Sequence, residues 1–212
     1  MIIDVDFQEA GINNVVAYSG KDITDDLIYR CFKLDNVFYK QDFQWNTFGI
    51  ENIIKKYPQM CFIFIDKDKK NIVGYSYWLP IKTEVFQQFI DNKTALLDIK
   101  EEYCTGYNSS NINLFLGGEA FVPGYDLNNL HLAIENIFQY HILCLAQKNI
   151  KINLVAFDSV CQYDEEFLVK RTNVKNCIDK SNCKFYYDKY DPRTFYNQSK
   201  YCNELIKYYT QE

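Results

Sequence analysis

The chain has 212 residues, 48% of them hydrophobic and 17% aromatic, with only four prolines. That is ample apolar material to offset chain entropy, so disorder is excluded and a single domain over residues 1–212 is expected. The formal charge is −5 and the 23 Lys and Arg are scattered, which argues against nucleic acid as a partner. No apolar run approaches the roughly 20 residues of a membrane helix, and the opening Met1-Ile2-Ile3-Asp4 lacks a leader pattern. The expectation is a cytoplasmic chain with no membrane partner.

Eight cysteines raise the question of disulfides or metal. Cys31, Cys61, Cys104 and Cys144 sit inside or beside apolar runs and read as small hydrophobes, while Cys177 and Cys183 belong to no CxxC pair. His131 and His141 are too far apart along one helix to share a metal, so no metal site is expected.

In chain order, residues 14–19 (NVVAYS) form a strand candidate, followed by a helix that Thr24 can cap, with Asp25 and Asp26 in its first turn. A second helix from Thr47 carries Ile50, Ile53, Ile54 and Tyr57 at helical spacing until Pro58 stops it. Runs 61–65 (CFIFI) and 72–81 (IVGYSYWLPI) read as a hairpin joined by the charged turn 66–71, and 83–90 as a short helix. Residues 112–122 (INLFLGGEAFV) are an apolar strand interrupted by Gly117 and Gly118, where a bulge or a close backbone approach is expected. From Leu127 the period becomes 3.6, with Leu130, Ile134, Ile137, Phe138, His141, Ile142 and Leu145 on one face and Asn149 closing the helix. A strand over 150–157 follows, bounded by Asp158 and Ser159. Beyond it come a short helix near 164–170, a strand over 183–190 and a C-terminal helix over 192–209 begun by Asp191 and Pro192.

This order, with Ile72-Val73-Gly74-Tyr75 in the hairpin and Phe121-Val122-Pro123-Gly124-Tyr125 as a V-x-P-x-Y step, resembles the GNAT superfamily of acyl-CoA-dependent N-acetyltransferases over about residues 14–190. The resemblance implies an α/β (α+β) fold. Its central sheet is mixed and mostly antiparallel, with one splayed parallel strand pair and helices on both faces. It further implies acetyl-CoA as co-substrate and a small-molecule or protein amine as acceptor. After V-x-P-x-Y the family shows Arg or Gln, two residues, Gly, one residue, then Gly or Ala; here those places hold Asp126, Asn129 and His131. That departure supports an alternative, a GNAT-fold binding or regulatory protein without catalysis. Asp126 also suits the N-cap of the long helix.

The resemblance assigns site residues as well. Glu119, a charge in an apolar run, is the expected general base, with a solvent-facing carboxylate as the alternative. Tyr163 is the expected general acid. Phe121 and Val122 would offer a backbone N–H to the oxyanion, and the backbone amides of Leu127, Asn128, Asn129, Leu130 and His131 would bind the CoA pyrophosphate.

Overall fold

The computed structural model describes residues 15–38, 47–91, 99–107, 109–122, 124–125, 127–159, 168–180 and 183–210. Its strands are β1 (Val15–Ser19), β2 (Cys61–Asp66), β3 (Ile72–Ile81), β4 (Asn111–Phe121), β5 (Lys151–Ser159), β6 (Asn176–Asp179) and β7 (Lys184–Lys189). They form one seven-stranded sheet in the order β1-β2-β3-β4-β5-β7-β6. Each neighbouring pair is antiparallel except β4 and β5, which run parallel.

Because side chains alternate across a strand, the sheet has two cores. Tyr75, Tyr77, Leu79 and Phe115 face α1 (Asp25–Phe38), α2 (Thr47–Lys56) and α3 (Thr83–Ile90), which contribute Ile28, Ile53, Ile54, Phe86 and Phe89. Phe62, Phe64, Trp78, Leu114, Leu116, Val155 and Phe157 face α4 (Leu127–Ala146), the short helix over 168–172 (α5) and α6 (Cys202–Tyr209). Helices therefore cover both faces, as expected.

Local signals explain the element ends. The Leu27 amide donates to Thr24 Oγ1 at 3.3 Å, the expected cap of α1. Asn149 takes a left-handed φ of 60°, its amide bonds Ala146 O, and the Ile150 amide reaches Leu145 O. This is a Schellman closure of α4, in which Asn replaces the usual glycine.

Two elements differ from expectation. β6 carries little apolar signal because it is an exposed edge strand of sequence NCID. The C-terminal helix does not begin at 192: turns run through most of 192–201 and only Cys202–Tyr209 is helical. The cause lies at Tyr196, whose φ is +50° and whose buried ring lies against Phe138 and Phe195. The Phe195 carbonyl accepts from the Gln139 amide group of α4, and the Tyr196 carbonyl accepts from the Ser199 amide three residues on at 3.2 Å, a turn rather than an α-helical bond. Docking two aromatic rings under α4 has outweighed helix propensity in this segment.

Among the described residues, no helix is long and apolar enough to cross a membrane, and no His, Cys, Asp and Glu are grouped to hold a metal ion. Cys31, Cys61, Cys104 and Cys202 are buried thiols.

Candidate active site

The strand carrying both glycines is where the sheet opens. β4 pairs with β5 from Asn111↔Lys151 to Leu116↔Phe157 and no further, although β4 itself runs on to Phe121 beside β3. Trp78 faces Leu116 while its neighbour Tyr77 faces Gly118, so Gly117 is the extra residue of a bulge. The ring of Tyr77 explains why glycines stand here. A Cβ on Gly117 would come within 2.1 Å of that ring, one on Gly118 within 2.8 Å, and the Tyr77 hydroxyl donates to Gly117 O at 2.8 Å.

The bulge also sets which side chains face α4. Before it Leu114 and Leu116 do; after the inserted residue Glu119 and Phe121 do, while Ala120 faces the other core. The Val122 amide donates to Val73 O at 2.7 Å, which makes 122 and 73 a hydrogen-bonded pair of the antiparallel ladder. Alternation then directs the amides of Glu119 and Phe121 away from β3, toward the gap left by β5. The Val122 amide is thereby engaged by β3, whereas the Phe121 amide points away from it.

α4 starts beside this gap. A helix beginning at Leu127 leaves the amides of Leu127, Asn128 and Asn129 without i−4 carbonyls inside the helix, whereas the His131 amide has Leu127 O available. Of the five residues that the resemblance assigns to the pyrophosphate, Leu127, Asn128 and Asn129 thus form the first turn of α4, and Leu130 and His131 follow them in the helix. Tyr125 of the V-x-P-x-Y step fastens the preceding turn: its hydroxyl donates to Asp66 Oδ2 at 2.9 Å, while Asp66 Oδ1 accepts the Asp68 and Lys69 amides. These bonds hold the Asp66 carboxyl below its usual range, led by the Lys69 amide. Pro123, Asp126 and Tyr163 lie outside the described residues.

Glu119 does not face open solvent. Its side chain is 9% exposed and sits beneath α4, with Oε1 3.6 Å from His131 Nδ1. That separation is too long for a hydrogen bond. Burial, with help from the Arg171 charge, pushes the His131 imidazole down to about 2, so it is neutral at physiological pH and forms no ion pair with Glu119. The ring instead fills space edge-on to Phe121, 5.2 Å between centroids.

A buried polar stripe continues from His131 along α4 at i, i+4 and i+8. Arg171 of α5 reaches across to it, bonding Glu135 Oε1 through Nε at 2.7 Å and through Nη2 at 2.5 Å, and bonding His131 O. Burial raises the Glu135 carboxyl above the usual range even against the opposing pull of Arg171. Next along, Gln139 accepts the Tyr190 hydroxyl and donates to Phe195 O at 2.5 Å. Tyr196 lies under Arg171, whose guanidinium carbon is 5.4 Å from the ring centroid. Its phenol is held well above the usual range by burial first and by the Glu119 charge second. Glu135, Gln139, Arg171 and Tyr196 were not expected from the sequence. The one signal was the polar i, i+4, i+8 spacing beside the apolar face of α4.

No protein-family model matches the sequence, and no curated protein matches it significantly. Solved structures match it in shape. The loading GNATL domain of CurA from Lyngbya majuscula superposes with a TM-score of 0.56 at 16% identity, covering 84% of this chain and 98% of that one. Naa50 of Arabidopsis thaliana, solved with the bisubstrate analogue CoA-Ac-MVNAL, gives 0.51 at 10% identity and covers 84% and 99%. An acetyltransferase from Streptococcus agalactiae gives 0.51 at 11% identity and covers 84% and 100%.

Proposed function

The chain has the GNAT fold, and from that premise we propose that it is an acyl-CoA-dependent N-acetyltransferase acting on a small-molecule or protein amine. The observation that carries this reading is the one-sided edge of β4 beyond Leu116, opening beside the start of α4. An extended pantetheine arm can add to such an edge as a strand does, and a helix N-terminus suits a pyrophosphate. The amides of Leu127, Asn128 and Asn129 would hold that pyrophosphate, and the Phe121 amide would stabilise charge on the thioester oxygen. Acetyl-CoA supplies the activated acetyl group. Glu119 would take the amine proton as the C–N bond forms and the C–S bond breaks, and Tyr163 would return a proton to the departing sulfur.

A second reading, a GNAT-fold binding or regulatory protein without turnover, has one observation in its favour. Where the family shows Gly or Ala, His131 inserts an imidazole between β4 and α4 and stands beside Glu119.

Thermal unfolding with acetyl-CoA tests both. Ligand at about 100 times its dissociation constant adds about 2.7 kcal/mol, a rise of roughly 5–10 °C for a chain of this size. No shift at millimolar acetyl-CoA would overturn the first reading. A shift without CoA release on any amine, unaltered by Glu119→Gln, would select the second.

A further inference from the structure

Among the buried polar atoms on the α4 side of the sheet that have no hydrogen-bond partner among the described residues, three are hydroxyl or indole donors of residues sealed from solvent. They are Ser76 Oγ (0% exposed), Trp78 Nε1 (1%) and the Tyr196 hydroxyl (0%). Their neighbourhood is shared. Ser76 and Trp78 lie two residues apart on β3; Ser76 is the register partner of Glu119 and Trp78 that of Leu116, where the β4–β5 ladder ends. The Trp78 and Tyr196 rings meet edge-on with centroids 6.4 Å apart, and Tyr196 lies within electrostatic reach of Glu119. The result is a set of three donors from β3 and the C-terminal turns, gathered on the side of the sheet that holds the Glu119 carboxylate and the Glu135 carboxylate, the latter bonded to Arg171.

A buried donor left unmatched is costly, and Ala or Phe in place of Ser76 or Tyr196 would remove the cost at almost constant shape. We propose that Ser76, Trp78 and Tyr196 line an internal hydration site in which water accepts from their donors and donates to the Glu119 carboxylate. Water is the ligand whose chemistry fits. A buried water makes about three hydrogen bonds, can accept and donate at once, and carries no charge for Glu119 to repel. An apolar guest leaves the donors unmatched, and an anion meets the carboxylate. The site stands whether or not the chain transfers an acyl group.

The test is a double-mutant cycle of Ser76→Ala and Tyr196→Phe read by thermal unfolding without acetyl-CoA, so its outcome is independent of the acyltransferase reading. The hydration site predicts that each hydroxyl deletion lowers the midpoint by about 2–4 °C and that the double variant loses less than the sum, because both hydroxyls serve shared water. A crystal structure that resolves solvent is expected to show ordered water within hydrogen-bond distance of both hydroxyls. Midpoints that rise or stay level, strictly additive losses, or a solvent-resolving structure with no water between these groups would each overturn the proposal.

Discussion

Under α1, α2 and α3 the sheet buries a nearly continuous apolar layer in which, among the described residues, Asn113 is the polar exception, tied to Thr83 Oγ1 at 3.1 Å. Under α4 the same sheet buries Ser76, Glu119, His131, Glu135 and Gln139, with Arg171 reaching in from α5. Both faces are covered by helices, so the difference is not one of layer architecture. It arises because β4 parts from β5 on one side of a bulge that turns Glu119 toward α4. A dry face can only be stable; a face with matched charges, a neutral imidazole and buried hydroxyls can also move protons.

The sharpest way to break this contrast is Arg171→Met. It leaves Glu135, with a side chain 2% exposed, buried without its cation, and removing one partner of such a pair costs about 3–5 kcal/mol. Adding Glu135→Gln is expected to recover most of that loss, since the charge is then gone from both sides. The pH dependence follows from the raised Glu135 carboxyl. The folded chain holds this proton more tightly than the unfolded chain, so stability from this group is greatest at low pH. It falls as pH rises from the ordinary value of 4.5 through the raised one. Arg171→Met deepens that fall. Phe89→Leu on the dry face loses stability and keeps the wild-type slope. Equal slopes for the two variants in urea unfolding between pH 4 and 8 would erase the distinction between the faces.

Much of the frame was legible because it rests on strong periods and on residues with few conformational options. Thr24, Asn149 and the apolar face of α4 announce their element ends and orientation, and paired glycines in an apolar strand announce the bulge. The buried half of the site was not. His131, Glu135 and Gln139 at i, i+4 and i+8 have the pattern of a solvated border, and only the cover supplied by α5 and the turns of 192–201 converts it to an interior. That cover depends on Tyr196 leaving the helical region, a tertiary effect with no local signature. Glu119 was legible as an anomaly in its strand, and its direction became clear only once the bulge had shifted the alternation.

A smaller effect separates two explanations of the glycines. Gly117→Ala places a methyl group against the Tyr77 ring, and such overpacking costs about 1–3 kcal/mol. If Tyr77 is the reason for the glycine, Gly117→Ala and Tyr77→Ala are non-additive, the second softening the first in denaturant unfolding. If a ligand were the reason, Gly117→Ala would keep its stability and lose only the acetyl-CoA shift.

The smallest expected effect is at Tyr125, where the turn between β4 and α4 is tied to the β2–β3 hairpin. Tyr125→Phe deletes only the hydroxyl that donates to Asp66 Oδ2. Because the Asp66 carboxyl is held below its ordinary value of 3.8, the stability it provides is present above that value and lost as pH falls through its folded one. The wild type is therefore expected to unfold at a slightly higher temperature than Tyr125→Phe at neutral pH, and the two are expected to converge as Asp66 takes up its proton. A constant difference across that range would mean that Tyr125 contributes through its ring, beside Lys69, rather than through the carboxylate. The turn would then be held by packing, and the start of α4 would owe nothing to the charge on the hairpin.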